Sequence, residues 1–287
     1  MSNYPANILG AEWLKINTLP FPCEIHVNRF YNNLGDRGNV FRVFINSTEP
    51  QPACQPIQDV IQYQNNFDLI ITKTPEILNK CKNSKFLLFA SNYVYPLLPS
   101  SKELTVSFLC TSTNSFNMPG YKHRRELWDR QNEITVPKKF WSSTYNPVDI
   151  SRLLPDLPNA VRGQEKMHLF NSMFSVCPEN SQEDNYITEK IMECFWTKTV
   201  PLYWGCPNIG KYFDTKGIIT YNSVDELIDI CNSLTAEKYH SMQDAVESNW
   251  KTSFYYGKNR IESRITKEIL SAYKEKHESQ ISNSNSV

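Results

Sequence analysis

Lys190 stands where a cation is out of place. The stretch 174–205, FSVCPENSQEDNYITEKIMECFWTKTVPLYWG, reads as a strand, a polar loop, a helix and a second strand. Asp184 or Asn185 is the natural N-cap of that helix, which puts Glu189 and Lys190 in its first one or two turns. The N-terminal end of a helix is electropositive, so a lysine there costs roughly a few tenths of a kcal/mol unless an anion is held at the same end. A diphosphate is one such anion; a solvated lysine on an amphipathic surface is the plainer alternative. Ile187, Ile191, Cys194 and Phe195 follow i, i+4, i+7, i+8 spacing and form the buried stripe, while Tyr186, Lys190, Glu193 and Thr197 share another face. A polar loop directly after a strand is also where ligands bind in open parallel sheets, beside the N-termini of the following helices.

Other chemistries lack their signatures. The chain has no Gly-x-Ser-x-Gly elbow, no His-Glu-x-x-His zinc site and no Asp-x-Asp pair. Its eight cysteines are scattered singly with no Cys-x-x-Cys pair, which predicts buried free thiols. With 30 basic and 30 acidic side chains the formal charge is zero, so no global field favours nucleic acid or an anionic membrane. The longest apolar runs, such as 86–90, are strand-sized and far short of the ~20 residues that cross a bilayer. Without a visible secretory signal either, the expectation is a cytoplasmic protein with no transmembrane segment, in which the sequon at Asn46 has no glycosylation role.

The elements that must position Lys190 are those of a parallel sheet covered by helices. From about Thr105 onward, strand candidates at 106–110, 134–136, 174–177, 200–204 and 217–221 alternate with helix candidates at 121–131, 164–171, 186–197 and 224–234. Further helices are expected at 237–248 and 260–276. In the first hundred residues, prolines at 5, 20, 22, 50, 52 and 56 interrupt any long period. Strands still stand out at 40–45, 68–72 and 86–90, with a helix at 57–64, and they predict a second, smaller α/β unit joined by a linker at 93–101. The polar tail from Glu275 lacks an apolar face and is expected to be disordered.

The run Glu179-Asn180-Ser181-Gln182, followed by Tyr186-Ile187-Thr188-Glu189-Lys190-Ile191 and then Val200-Pro201-Leu202-Tyr203-Trp204-Gly205, closely resembles the donor-binding signature of family 10 glycosyltransferases, the α-1,3/4-fucosyltransferases, with bacterial-type members most similar. The match is a gapless run of about thirty residues, with several polar positions at fixed spacing. One departure is Pro178, where many members carry Phe or Ala.

The resemblance implies a GT-B-like α/β fold of two Rossmann-like domains facing across a cleft. Residues 1–100 would take the acceptor, 101–262 the nucleotide-sugar donor, and 263–287 would form a C-terminal helix and a disordered tail. It places donor contacts on Asn180, Tyr186, Glu189 and Lys190, with the lysine on phosphate. The family's second cation falls on Arg124 in Arg124-Arg125-Glu126-Leu127-Trp128, with Arg125 a close competitor and a merely solvated basic cluster as the plainer alternative. Its general base falls by order along the chain on Glu49, which could otherwise be a loop residue before Pro50. The implied reaction is inverting transfer of fucose from GDP-fucose to a glycan hydroxyl, with no metal or other cofactor. Another donor sugar, or an inactive nucleotide- or glycan-binding protein on the same scaffold, are the rival readings.

Overall fold

The computed structural model describes residues 4–10, 14, 16, 18–31, 34–36, 38–46, 49–90, 101–111, 118–143, 163–258 and 261–284. The chain divides into two compact units, Met1–Phe89 with Asn259–Val287, and Ala90–Lys258. Apart from Ser101, the expected linker lies outside the described residues.

In the first unit, β1 (Asn7–Leu9), β2 (Cys23–Val27), β3 (Phe41–Asn46), β4 (Leu69–Thr72) and β5 (Ser84–Phe86) form a fully parallel sheet in the order β1-β2-β3-β4-β5. Every residue of β3 and β4 is buried, as expected of strands covered on both faces. The strand order runs one way, so right-handed crossovers put α1 (Ile57–Gln62) and α2 (Pro75–Lys80) on the same face. There Val60 and Ile77 pack with Phe44, Phe67 and Ile70. The third expected strand is displaced. Pairing covers Ser84–Phe86, whereas Leu87, Leu88 and Ala90 are buried beyond it, and the Arg264 guanidinium donates to the carbonyls of Leu88 (2.5 Å) and Phe89 (3.2 Å).

The second unit holds β6 (Glu103–Thr111), β7 (Lys138–Ser143), β8 (Ser172–Pro178), β9 (Val200–Trp204) and β10 (Ile219–Thr220), again all parallel, in the order β10-β9-β8-β6-β7. Among the described residues its α-helices are α3 (Pro119–Asp129), α4 (Glu189–Trp196), α5 (Val224–Ser233), α6 (Ala236–Ser241) and α7 (Gln243–Lys258), and the helix expected at 164–171 is a 3-10 helix, Gly163–Asn171. The chain leaves β6 for β7 on one side and returns to the other side for β8. The carboxyl ends of β6 and β8 therefore flank the point where the winding reverses, the ordinary ligand position in such sheets. Phe108, Phe174, Val176 and Leu202 from the strands pack with Leu127 and Trp128 of α3 and Leu227 of α5. The strand expected at 134–136 is a turn instead: Ile134 ends a short 3-10 helix and plugs the core, while pairing begins at Lys138. The single helix expected at 237–248 is two, because α6 ends at Ser241 and α7 starts afresh at Gln243.

The last helix, α8 (Ile261–Ser284), belongs to the first unit. Ile261, Ile265 and Ile269, spaced by four, lie against Ile25, Val43, Ile45, Leu69 and Ile71, covering the sheet face that α1 and α2 leave bare. This corrects the disordered tail, since the helix continues through Ser284, with Glu275 paired to Lys85 at 2.8 Å and Lys276 to the buried Asp68 at 2.6 Å. Glu275 and Lys276 are anchored by charge rather than by an apolar face. All eight cysteines are buried and free. Among the described residues no helix is long and apolar enough to cross a membrane.

Candidate functional site

The loop after β8 is held from both sides. Glu179 N–H donates to the Trp204 carbonyl (2.8 Å), extending the β8–β9 ladder by one bond. Its carboxylate turns inward with no solvent exposure. There Oε1 accepts from the Thr188 amide (2.9 Å) and Oε2 from the Thr188 hydroxyl (2.7 Å). Thr188, not Asp184 or Asn185, is the N-cap of α4, and its Oγ1 accepts from the Lys190 amide at 3.4 Å. Asn185 instead takes a left-handed conformation (φ 64°), which asparagine tolerates better than most residues. Asn208 bonds both its backbone N–H and its side chain (2.9 Å each), and Tyr212 Oη donates to its Oδ1 (2.5 Å). The helix therefore begins at Glu189, later than expected, because Asn185 is committed to that loop anchor. Tyr186, 2% exposed, is buried in the same loop.

Two glycines let neighbouring elements reach Glu179. A side chain at Gly120, near the start of α3, would collide with the Glu179 carbonyl, and Gly120 N–H donates to the Asn180 carbonyl at 3.0 Å. At Gly205 a Cβ would lie 2.6 Å from Glu179 Cγ and would strike the Tyr203 phenol.

Arg124 is the inward-facing arginine of α3. Its Nη1 donates to the carbonyls of Pro178 (2.8 Å) and Glu179 (3.4 Å), its Nη2 to Asn180 Oδ1 (2.7 Å), and its guanidinium lies 4.5 Å from the centroid of the Tyr121 ring. It is 3% exposed, whereas Arg125 is half-buried. The basic stretch is thus not a solvated cluster. His123 also turns inward, stacking on Trp204 and Tyr221 with Nε2 3.1 Å from the Tyr221 hydroxyl, and burial followed by the Arg124 charge lowers its pKa to about 4.

Lys190 Nζ sits 3.1 Å from Glu189 Oε1, 3.2 Å from Thr188 Oγ1 and 3.5 Å from Glu179 Oε2. Burial works against its charge, but Glu189 and then Glu179 outweigh it and raise the lysine pKa above its usual value. The two carboxylates respond differently. Burial opposes ionisation of Glu189, yet Lys190 and then Lys166 prevail and bring its pKa down to about 2. For Glu179 burial is the largest influence and wins over Lys190, so its pKa is raised.

Of the residues singled out in the sequence, Arg124, Asn180, Glu189 and Lys190 meet at the carboxyl end of β8 through direct bonds or through Glu179, with Tyr186 in the same loop. Glu49 lies in the other unit, exposed, beyond the end of β3, with its carbonyl accepting from Cys54 Sγ at 3.5 Å. Sequence reasoning missed Glu179 and Thr188, which join the donor-side residues. The sequence did offer a signal for Thr188, a capping residue type directly before two charged residues and an apolar stripe. Glu179 had none, because a carboxylate in a polar loop reads as solvated. Among the described residues no group of three or more His, Cys, Asp or Glu is placed to hold a metal ion.

No family model matches the chain. An α-(1,3)-fucosyltransferase from Helicobacter pylori is 37% identical over 68 residues, which are 23% of this chain and 14% of that relative. The match thus spans a small part of the relative's length. A solved α1,3-fucosyltransferase with GDP-fucose superposes over 96% of this chain and 91% of its own, at 17% identity and a TM-score of 0.53. A second α1,3-fucosyltransferase structure covers 88% of this chain and 76% of its own, at 18% identity and the same TM-score. Its two parallel five-stranded sheets give the chain the GT-B fold of those structures, and a 68-residue stretch of it is similar in sequence to an α-(1,3)-fucosyltransferase.

Proposed function

We propose that the protein transfers fucose from GDP-fucose to a hydroxyl of a glycan acceptor with inversion. The observation that carries this reading is the placement of the Lys190 ammonium at the start of α4, at the carboxyl end of β8, beside a loop that Arg124 ties down. Fixed cations aimed at a leaving group that gathers negative charge supply the largest electrostatic contribution to such a transfer. Lys190 stabilises the departing diphosphate, while Glu189 and Asn180 offer an acceptor and an amide to sugar or ribose hydroxyls. Arg124 contributes its charge and the shape of the loop. Glu49 takes the proton as the acceptor oxygen attacks the anomeric carbon and the bond to the diphosphate breaks.

A thermal-shift panel tests the donor. GDP-fucose at 100 times its dissociation constant adds about 2.7 kcal/mol, which moves the melting temperature of a domain this size by roughly 5–11 °C, and the shift should persist with EDTA. A requirement for manganese, or a response confined to UDP-sugars, would overturn the proposal.

A further inference from the structure

Lys190 is over-neutralised in this structure. One ammonium faces two carboxylates, Glu189 at 3.1 Å and Glu179 at 3.5 Å, so the trio carries one net negative charge when all three are ionised. A diphosphate diester brings two more, and such an excess of buried negative charge is costly. The Arg124 guanidinium, bonded to the neutral carbonyls of Pro178 and Glu179 and to Asn180 Oδ1, keeps its charge and brings the four groups to zero, so the diphosphate still leaves an excess of two negative charges. One carboxylate must therefore yield. Glu189 keeps 22% of its side chain in solvent and is drawn to Lys166 as well as Lys190. Glu179 has no exposed surface.

Of the remaining charged neighbours of Glu179, Arg124 bonds its backbone carbonyl and not its carboxylate, and Glu189 opposes its ionisation. Cys177 from β8, and Tyr203 and Cys206 from β9 and the turn beyond it, are a thiol, a phenol and a thiol whose pKa values burial raises, so they stay neutral. Among the described residues, Lys190 is the cation paired with its carboxylate. As an acid, Glu179 keeps both contacts, because its carbonyl oxygen still accepts from the Thr188 amide and its O–H donates to Thr188 Oγ1, where the carboxylate accepted.

We propose that Glu179 is a positioning residue of the donor site, fixing the start of α4 and the Lys190 ammonium through Thr188, and that it takes up a proton from solvent when a nucleotide diphosphate binds. This rests on the donor reading above. It agrees with burial holding the Glu179 carboxyl above its ordinary range and Lys190 holding Glu189 below it.

The probe is GDP-fucose, whose diphosphate diester has no titration of its own near neutrality. Calorimetric binding in buffers of different ionisation enthalpy should show uptake of up to one proton per ligand by the parent, and affinity should fall with rising pH, toward about tenfold per pH unit, once the pH passes the raised pKa of unliganded Glu179. Glu179→Gln keeps an acceptor and a donor for Thr188 without the charge, so it should fold, bind GDP-fucose with a flat pH profile and take up no proton. Glu179→Ala should lose the cap, the affinity and melting temperature, with glutamine restoring the last two. Parent binding without proton uptake, or the same pH slope in the glutamine variant, overturns the proposal. Should Glu179→Gln not fold, the calorimetry on the parent decides alone. No GDP-fucose binding by the parent at any pH would instead overturn the donor reading.

Discussion

Replacing Arg124 with alanine should cost stability first and donor binding as a consequence. The side chain makes two short charge-assisted bonds, to the Pro178 carbonyl (2.8 Å) and Asn180 Oδ1 (2.7 Å), and a longer one to the Glu179 carbonyl (3.4 Å), at 3% exposure. A hydrogen bond involving a charged group is worth ~1.5–3 kcal/mol, and a buried acceptor left unsatisfied costs ~1–3 kcal/mol. Alanine strands two such acceptors, so the loss should be about 3–5 kcal/mol, a large share of the ~5–15 kcal/mol that holds a domain together. At ~2–4 °C per kcal/mol for a domain of this size, the melting temperature should drop roughly 6–20 °C. Arg125→Ala, at the half-buried position beside it, should stay within about 0.5 kcal/mol of the parent. Arg124→Lys restores the charge but not the planar fork that reaches both acceptors, so it should recover only a minor part. Thermal melts and GDP-fucose titrations of the three variants read this out. An Arg124→Ala protein as stable as the parent would refute the scaffold role, and full recovery of binding by lysine would show that charge alone matters.

Lys190→Ala should weaken GDP-fucose binding by roughly 10–150-fold, the equivalent of ~1.5–3 kcal/mol, as measured by calorimetry; unchanged affinity would remove the lysine from the phosphate. Glu49→Gln should lower turnover ~10²–10⁴-fold with donor affinity nearly unchanged, and near-parental transfer by a well-folded variant would move the general base elsewhere. The pKa of Glu189 is depressed from 4.5 to about 2, so its stabilising contribution is complete above the ordinary carboxylate value and disappears as the pH falls through the interval down to about 2. Melting curves over that interval should show Lys190→Ala losing less stability on acidification than the parent, since the lysine is the main influence lowering this pKa, and equal losses would argue against the pairing.

The sequence by itself located the polar loop of the second unit and the elements that flank it. Its strands at 172–178 and 200–204 are runs buried on both faces, the helix between them has a one-sided apolar stripe, and the polar residues of the intervening loop are contiguous in the chain, so local patterning suffices to find them. Tertiary structure decided where that helix starts, because Asn185 is taken by Asn208 and Tyr212 and the capping role passes to Thr188, whose partner Glu179 lies nine residues away. It also decided which arginine turns inward, since neighbouring positions on one helix differ only in what their faces meet. The first unit was the least legible. Its strands β1 and β2 are short and flanked by prolines, and its final helix acts on residues nearly two hundred positions upstream, with Arg264 on the Leu88 carbonyl, Glu275 on Lys85 and Lys276 on Asp68. No window of sequence contains those pairings. A sheet wound in one direction leaves one apolar face bare, and Ile261, Ile265 and Ile269 of α8 cover it, which no local pattern near the strands announces.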